Sequence, residues 1–433
     1  MQLTEEQILN LAPDDSSKKS GKDLANPSKW VSKGANENAL WGECQGSGSK
    51  PYQTQVHLKN LAFKCSCPSR KFPCKHGLGL SLLYARQPKQ FQVSESPAWV
   101  NEWLDKRTEK EEKKSEKKDK PVDEEAQAKR QLARQKKVTD GVEELLLWIK
   151  DIVRNGIINI PEKGRACWEN ISKRMIDAQA PGLAGMLRNI GDINFYEEGW
   201  QSRFLDQLLK IYLIICGYKN MDHLDVPTQE DIRSLIGFTQ NQDEIKEKKG
   251  IRDEWFVLAK KTTEEEQLFV ERNWLYGTNT KQYALVLQFY VRSQLPALVL
   301  TPGIVADAEL VFYNSALPLR ALVKEQFHTK KIPFVESYAN WNEVVAKQTY
   351  FNSVYPFAET YPFIIGSLRP VFYQKAWWLQ DIENNMMPVK NNYRGIWKLL
   401  SISAGERLTM AVIGKEDEYE PVGLWNSNEY KTI

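Results

Sequence analysis

The chain has 433 residues, of which 42% are hydrophobic and 11% are aromatic, and it carries a formal net charge of +3 at pH 7. This length is typical of two or three domains, and the apolar fraction is large enough to build hydrophobic cores. The nearly balanced charge does not by itself indicate a nucleic-acid-binding protein. The 6 cysteines are too few for a small secreted fold that depends on disulfide bonds.

The N-terminal stretch MQLTEEQILNLAPDDSS is acidic and contains no long apolar run, so it lacks the pattern of a secretory signal peptide. The most apolar stretch, residues 204–218, is too short and too often interrupted by polar residues to span a bilayer. We therefore expect a soluble cytoplasmic protein with no membrane contact. Because that compartment keeps thiols reduced, clustered cysteines favour a metal site over a disulfide.

The first part of the chain, residues 1–92, has the pattern of a small domain made of short strands and helices. Thr4 and Gln7 have the spacing of a capping box before a short apolar helix at residues 8–11. Alternating apolar side chains and turn residues then predict strands at 39–44, 51–58 and 61–67 and a helix at 77–85. The core of this domain is expected at about residues 54–87.

The next segment, residues 93–138, is dominated by charged residues and carries few large apolar side chains after residue 102. A segment of this kind cannot bury enough surface to offset the entropy lost on ordering it. We interpret it as a charged linker that is at most partly helical, since Pro121 would interrupt a continuous helix. The alternative is a basic arm that contacts nucleic acid or a protein partner.

The remainder is predicted as a helical region at 139–252 and a β-rich region at 253–433. The spacing of apolar residues predicts helices at 141–157, 166–189, 201–216 and 228–236. Aromatic and β-branched runs predict strands at 254–262, 267–277, 283–291, 297–303, 308–314, 319–325, 396–405 and 407–414. A hairpin turn is expected at 277–280, and one helix at 341–352.

The predicted fold class is therefore α+β and multidomain. A small N-terminal domain with a β-sheet and a helix is followed by the charged linker, the helical region and an antiparallel β-rich region.

Three of the 6 cysteines and one of the 4 histidines fall within the stretch CSCPSRKFPCKH. Cys65 and Cys67 alternate on one face at the end of a predicted strand, and Cys74 and His76 lie at the start of the next helix. Amide N–H groups and the helix dipole at that position favour the thiolate form of cysteine. Three thiolates and one imidazole complete a tetrahedral zinc site without an open position, which is typical of one structural Zn²⁺.

Other chemistries also use clustered cysteines. A redox dithiol usually accompanies a thioredoxin-like βαβ pattern, an iron–sulfur cluster usually takes four thiolates, and a catalytic zinc ion keeps an open coordination position. The spacing found here also differs from the commoner zinc finger, in which two to four residues separate the cysteines. The residues alone therefore favour structural zinc and leave these alternatives open.

The pattern CxC…CxH followed by a small apolar helix resembles the SWIM zinc finger, a family found in chromatin-remodelling ATPases and transposases. The resemblance covers roughly residues 30–90 and fills all four ligand positions. It implies one structural zinc ion. Gly77 and Gly79 depart from the pattern, because alanine forms helices better, and we expect a helix that is short or depends on the metal.

The string CSCPSRKFPCKH resembles the bacterial branch of this family in particular. Members of that branch are often encoded beside MoxR-type AAA+ ATPases and von Willebrand A-domain proteins. The resemblance therefore implies a protein partner from one of these two classes.

Four basic residues, Lys64, Arg70, Lys71 and Lys75, surround the predicted ligands. One interpretation is a patch that contacts the phosphates of DNA or RNA. The other is charge compensation, since three thiolates and Zn²⁺ sum to −1 and nearby cations offset this charge. Phe72 is the only ring between the ligands, and the sequence leaves two interpretations open, a ring that stacks with a base and a residue of the small core.

Residues outside the cluster suggest no second site. Cys44 is left out because four nearer ligands fill the zinc shell, and Cys167 and Cys216 are expected to be buried in helices. The remaining histidines stand alone in sequence: His57, His223 and His328.

Three functional hypotheses result. The first is a zinc-finger module that recognises a protein partner. The second is a nucleic-acid-binding protein that uses the basic residues around the finger. The third is an enzyme with an unrecognised active site in the C-terminal region, although no GxxxxGK[ST], GxGxxG, GxSxG or HExxH motif and no catalytic residue supports it.

Overall fold

The computed structural model describes residues 5–9, 11–46, 50–58, 62–69, 71–93, 95–107, 124–265, 268–291, 298–330, 335–358, 360–427 and 429–433. They form two compact units. The N-terminal unit comprises residues 1–121, 259–273 and 287–304, and the C-terminal unit comprises residues 122–258, 274–286 and 305–433. Thr4 of the predicted capping box lies outside the described residues.

The N-terminal unit contains a five-stranded sheet and four helices among its described residues. These elements are α1 (Glu5–Leu9), α2 (Asp15–Leu24), β1 (Trp30–Ala35), β2 (Ala39–Cys44), β3 (Tyr52–His57), β4 (Ala62–Cys65), α3 (Lys75–Arg86), β5 (Gln92–Val93) and α4 (residues 98–107). The strand order is β4-β3-β2-β1-β5, and all pairs are antiparallel except β1–β5. The three predicted strands and the predicted helix are confirmed as β2, β3, β4 and α3.

The sequence analysis assigned no element to α2 or β1. Helix α2 buries only Ser17 and Gly21, so it shows no apolar periodicity. Its start is set instead by Asp14, whose side chain accepts a hydrogen bond from the Ser17 amide at 2.7 Å. Strand β1 buries Trp30 and Ala35 at its ends while its middle is polar, which hides the alternation of a strand.

Glycines allow α3 to pack closely against its neighbours. A Cβ atom on Gly79 would lie 2.6 Å from Leu24 Cβ in α2, and one on Gly77 would lie 2.6 Å from Phe63 Cδ1 in β4. The expectation of a short helix is wrong, because α3 extends over 12 residues. The two glycines weaken the intrinsic helix propensity but permit contacts that no other residue could make.

The first half of the C-terminal unit is helical. Its helices are α5 (Glu124–Arg154), α6 (Gly164–Asp177), α7 (Pro181–Gly191), α8 (Trp200–Lys219), α9 (Val226–Ile236) and α10 (Gln242–Glu247). One buried core, which includes Trp168, Leu187, Phe204 and Ile211, joins α5 through α9, whereas Ile245 of α10 packs with Val311 and Tyr313. Helix α5 begins within the segment predicted as a linker, and the single helix predicted at 166–189 is divided into α6 and α7 by a turn before Pro181.

The second half of the C-terminal region is rich in strands. Its elements are β6 (Ile251–Glu265), β7 (Leu268–Gly277), β8 (Tyr283–Val291), β9 (Val305–Phe312), β10 (Arg320–Lys330), α11 (Trp341–Val354), β11 (Tyr361–Tyr373), β12 (Ala376–Gln380), β13 (Met386–Pro388), α12 (Ile396–Ser403), β14 (Leu408–Lys415), β15 (Glu418–Asn426) and β16 (Glu429–Thr432). One set of strands closes a barrel in the order β10-β8-β7-β6-β9, and the others form a sheet in the order β13-β12-β11-β14-β15-β16.

The strand predicted at 396–405 is wrong, since α12 occupies this stretch. Its buried residues, Ile396, Leu399 and Ser403, are spaced as on one face of a helix rather than alternately. The strand predicted at 297–303 is also absent from the described residues, which form turns there. Within the barrel, β8 and β10 pair in parallel, whereas β9 pairs antiparallel with both β6 and β10.

The predicted hairpin turn at 277–280 is confirmed and depends on a buried carboxylate in β6. Asp253 accepts hydrogen bonds from the backbone amides of Asn279 and Thr280 at 3.2 and 2.8 Å. Their side chains donate to it as well, both at 2.6 Å. Burial raises the pKa of Asp253, but these hydrogen bonds outweigh burial and hold the pKa below its usual value.

Replacing Gly79 with alanine should destabilise the N-terminal unit, although alanine is the better helix former. The new methyl group would overlap Leu24, and we expect a loss of about 1–3 kcal/mol, the usual cost of overpacking. Urea unfolding measures this change. The matched control is Gly185→Ala in α7, where nothing lies within 4 Å of the added Cβ and stability should rise slightly. Equal effects of the two substitutions would contradict the proposed packing.

Replacing Asp253 with asparagine should lower the stability of the C-terminal unit by about 1–3 kcal/mol at pH 7, because the buried turn loses a charged acceptor. The folded-state pKa is depressed, so the carboxylate stabilises the fold above its unfolded pKa of about 4 and loses this effect as the pH falls towards the folded value. The difference between parent and variant in urea unfolding should therefore shrink at about pH 3. The exposed Asp222→Asn serves as control. A difference that does not change with pH would contradict this role.

Candidate metal centre

The structure brings the four predicted ligands together at one point. Cys65, Cys67, Cys74 and His76 each offer a ligand atom, and these atoms all lie within 4.8 Å of one another. Cys65 Sγ lies 3.7 Å from His76 Nδ1. Zinc bonds of about 2.3 Å to sulfur and 2.0 Å to nitrogen in a tetrahedron would separate these two atoms by about 3.5 Å. The arrangement therefore fits one zinc ion, with Nδ1 as the nitrogen that faces the cluster.

Two structural elements position the ligands. Cys65 is the last residue of β4, and Cys67 follows beyond the strand, which ends earlier than the predicted boundary at residue 67. The last backbone hydrogen bond there runs from the Ser66 amide to the Gln53 carbonyl at 2.9 Å. Cys74 is the N-cap of α3, and its sulfur accepts a hydrogen bond from the Gly77 amide at 3.5 Å. This amide supports a negatively charged sulfur.

Strand β3 supplies contacts to the ligands that the sequence analysis missed. Thr54 Oγ1 lies 3.2 Å from Cys65 Sγ, and the Tyr52 ring lies 5.0 Å from the His76 ring between centroids. Such outer contacts orient metal ligands. The alternation of residues along β3 predicts that Tyr52 and Thr54 share one face, but the sequence does not show which residues this face contacts.

The shifted pKa values of Cys67, Cys74 and His76 show why a cation stabilises the cluster. Hydrogen bonds from Cys65 and Cys74 hold the pKa of Cys67 well below its usual value, while Cys65 and Cys67 raise the pKa of Cys74. Burial lowers the pKa of His76, but hydrogen bonds with Cys65 and Cys67 outweigh it and raise the pKa to about 9. Because three thiolates so close together repel one another, some of the sulfur atoms stay protonated when no cation is bound. A zinc ion supplies that charge and displaces the protons.

The basic residues around the cluster do not form one uniform patch. Lys71 Nζ makes an ion pair with Asp14 Oδ2 at 2.8 Å, which ties the loop between the ligands to the N-cap of α2. The hydrogen bond with Lys71 is the main reason that the pKa of Asp14 is lowered to about 2. Lys64 and Lys75 are exposed, and Arg70 lies outside the described residues.

Phe72 packs edge-on against Phe63 with ring centroids 6.2 Å apart, which favours the core interpretation of this residue. Cys44 is buried near the cluster, and burial raises the pKa of its thiol. Cys167 and Cys216 are only partly buried, so the prediction that both are core residues is wrong.

The lone histidines remain outside the site. His57 is partly buried and its ring lies 6.4 Å from the Trp103 ring, whereas His223 is exposed. The side chain of His328 lies outside the part of the chain that the structure describes.

A closed set of three thiols and one imidazole, held between a strand end and a helix start, defines a structural zinc finger. Residues 52–85, which run from β3 through α3, match the family model of the SWIM zinc finger. Residues 133–236, which contain most of α5 and all of α6 to α9, match the SWIM-associated four-helix bundle domain. No curated protein and no solved structure matches the chain.

The second of these matches had no counterpart in the sequence analysis, which described the region only as helical. The signal that existed was the periodicity of apolar residues, which shows helices but not how they pack. Within the part of the chain that the structure describes, no helix is long and apolar enough to cross a membrane.

Replacing Cys74 with serine should remove the bound zinc, because serine is a poor zinc ligand and the remaining three donors cannot close the tetrahedron. We expect the metal content to fall from about one zinc per chain to nearly none. Hydrogen exchange should increase across residues 30–90 while the C-terminal unit keeps its protection. Elemental analysis and hydrogen-exchange mass spectrometry measure the two effects.

Cys216→Ser is the matched control, since this thiol lies in α8 and should leave the zinc content unchanged. Cys44→Ser changes a thiol that is buried near the cluster but is not assigned as a ligand, so this variant should also retain zinc. A Cys74→Ser chain that still binds zinc at the parent's stoichiometry would contradict the assignment.

Proposed function

We propose that the zinc finger is a structural recognition module that binds a protein partner along the exposed edge of its sheet. The observation that carries this proposal is the position of β4, which ends the sheet next to the zinc ligands. The resemblance to the bacterial branch supports a MoxR-type AAA+ ATPase or a von Willebrand A-domain protein as the partner.

The ligand set supports a structural role for the zinc ion. Four side chains fill a tetrahedral shell, so neither water nor a substrate finds an open position on the metal. A small domain with few core residues commonly needs such a metal to remain folded. The ion would therefore act indirectly, because it holds β4 and α3 in the arrangement that a partner recognises.

The edge strand offers the hydrogen-bonding groups for recognition. Among the described residues, β4 pairs only with β3, through a register in which Lys64 lies opposite Gln55. An edge of this kind accepts an extended segment of another protein as an additional strand. Lys64 is exposed in the middle of β4 and would favour a partner segment that carries an acidic residue.

Nucleic-acid binding by the finger remains the alternative. Lys64 and Lys75 are exposed and would suit phosphate contacts. Lys71, however, already pairs with Asp14, and the net charge of zinc with three thiolates is negative. These contacts favour the protein partner over the polynucleotide.

The hypothesis of an enzyme has less support. A groove of about 900 Å³ lies beside α5, α9 and α10, and Asn314 of the β-rich region also lines it. Its charged lining residues include Arg134, Arg233 and Lys248, but the lining contains no Ser, Cys or His. A Ser–His or Cys–His nucleophile pair is therefore not present in this groove.

A co-purification experiment tests the proposed partner. The tagged full-length chain should retain a MoxR-type ATPase or von Willebrand A-domain protein from the same genome, even in high salt, because strand addition depends on backbone hydrogen bonds. Lys64→Glu should reduce retention at least about tenfold through repulsion of the acidic segment. Lys89→Glu, an exposed lysine outside β4, is the matched control and should retain the partner.

Zinc content is measured in each variant to exclude loss of the site. Failure of the parent chain to retain either protein would contradict the proposed partner classes. Retention of DNA or RNA that falls steeply with salt, with both lysine variants weakened equally, would favour the nucleic-acid alternative.

A further inference from the structure

We propose that the outer face of the three-stranded sheet β11–β12–β13 binds single-stranded nucleic acid by stacking bases on Tyr373 and Trp378. This surface lies in the C-terminal unit and involves neither the zinc finger nor its basic residues. It is a second binding site, independent of the proposed recognition module.

The strand register shows which side chains share this face. Cross-strand partners in an antiparallel sheet point to the same side, and every second residue along a strand does so too. The face therefore consists of three rows: Arg369, Gln380 and Met386 in the first, Val371, Trp378 and Pro388 in the second, and Tyr373 and Ala376 in the third. None of these residues is acidic.

The opposite face of the same strands is the one that packs on the protein core. Leu379 is fully buried there, and Met387 and Trp377 pack against the same hydrophobic cluster. On the outer face, Tyr373 is 50% exposed, Arg369 is also exposed, and Trp378 is partly buried with the rest of its ring accessible. Large aromatic residues on an accessible face mark a binding surface more often than isolated aliphatic residues do.

The two rings are held in position by the hairpin between β11 and β12. Gln374 and Lys375 have φ angles of 49° and 61°, as in a two-residue type I′ turn. Trp378 Nε1 donates a hydrogen bond to the Tyr373 carbonyl at 3.1 Å, so the indole has a fixed direction and its polar atom is satisfied. A ring that is fixed in advance loses little entropy when a base stacks on it.

The spacing of the rings suits neighbouring bases. Tyr373 and Trp378 occupy diagonal positions on adjacent strands, where side chains lie roughly 7–8 Å apart. Sheets that bind single-stranded RNA use aromatic side chains on adjacent strands to stack two or three unpaired bases. Tyr373 and Trp378 likewise lie on adjacent strands and on one face.

The charged residues beside the two rings favour one kind of partner, nucleic acid, over another, a proline-rich peptide. Arg369 Nε donates to Gln380 Oε1 at 2.8 Å across the first row, and Lys375 lies at the turn beside the third row. Arg407 Nη1 donates to the Gln380 carbonyl at 3.1 Å, which adds a cation near the first row. Cations at both ends of an aromatic face without acidic members complement a phosphodiester backbone, whereas a proline-rich peptide would not require them.

Fluorescence anisotropy of the full-length chain with labelled oligothymidylate and oligouridylate of about 15 nucleotides tests the proposal. At low salt, we expect saturable binding of one or both strands, with poor competition by duplex DNA because its bases are not accessible for stacking. Trp378→Ala and Tyr373→Ala should each weaken binding at least about fivefold, and Trp378→Phe should restore most of it. Arg369→Ala should reduce the slope of log K against log salt by about 0.7, the value for one phosphate contact.

The matched controls are exposed aromatic residues outside this face. Trp397 is 73% exposed on α12, and Phe372 is 59% exposed on the opposite side of the hairpin. Substituting either with alanine should leave binding unchanged, as should Lys64→Glu in the zinc finger. This last variant separates the proposal from partner binding along β4.

Three results would overturn the proposal. The first is the absence of binding by the parent chain to either strand at low salt, and the second is binding that Trp378→Ala and Tyr373→Ala leave unchanged. The third is binding of a proline-rich peptide that depends on Trp378 while neither oligonucleotide binds, since the face would then belong to peptide recognition.

Discussion

Convergence of four side chains on one metal ion is the constraint on which the zinc finger depends. The end of β4 and the start of α3 carry two donors each, and these elements meet because a single tetrahedral ion accepts ligands only within a narrow range of distances. The amide of Gly77 supports the sulfur of Cys74, and Thr54 contacts that of Cys65, so the neighbouring backbone and β3 are tied to the same point. Binding of the metal is thus coupled to folding of the finger.

Close packing and an ion pair both stabilise the small domain around the zinc site. Gly77 and Gly79 let α3 approach β4 and α2 at distances that any side chain would prevent. Lys71 pairs with Asp14, so one cation that looks available for a phosphate in the sequence instead fastens the ligand loop to α2. The close-packed interior and the metal cluster leave the edge of β4 as the part of the finger on which the proposed partner recognition depends.

The β-rich part of the C-terminal region uses buried carboxylates to stabilise its turns. Asp253 holds the turn after β7, and Asp381 accepts hydrogen bonds from the backbone amides of Trp341, Glu383 and Asn385. These contacts satisfy charges that would otherwise be costly in the interior. Rigid turns of this kind present the faces of the adjacent strands in a fixed geometry, which is what a binding surface requires.

The sequence by itself determined the zinc ligands and the order of the main regions. Three cysteines and one histidine at short spacing favour a structural zinc site, and runs of helical or alternating apolar residues are local patterns. Only the tertiary structure decided that Lys71 is paired with Asp14, and that one face of the hairpin of β11 and β12 packs on the core while the face with Tyr373 and Trp378 does not. Both depend on contacts between residues that are distant in sequence, and local patterns contain no information about which distant elements meet.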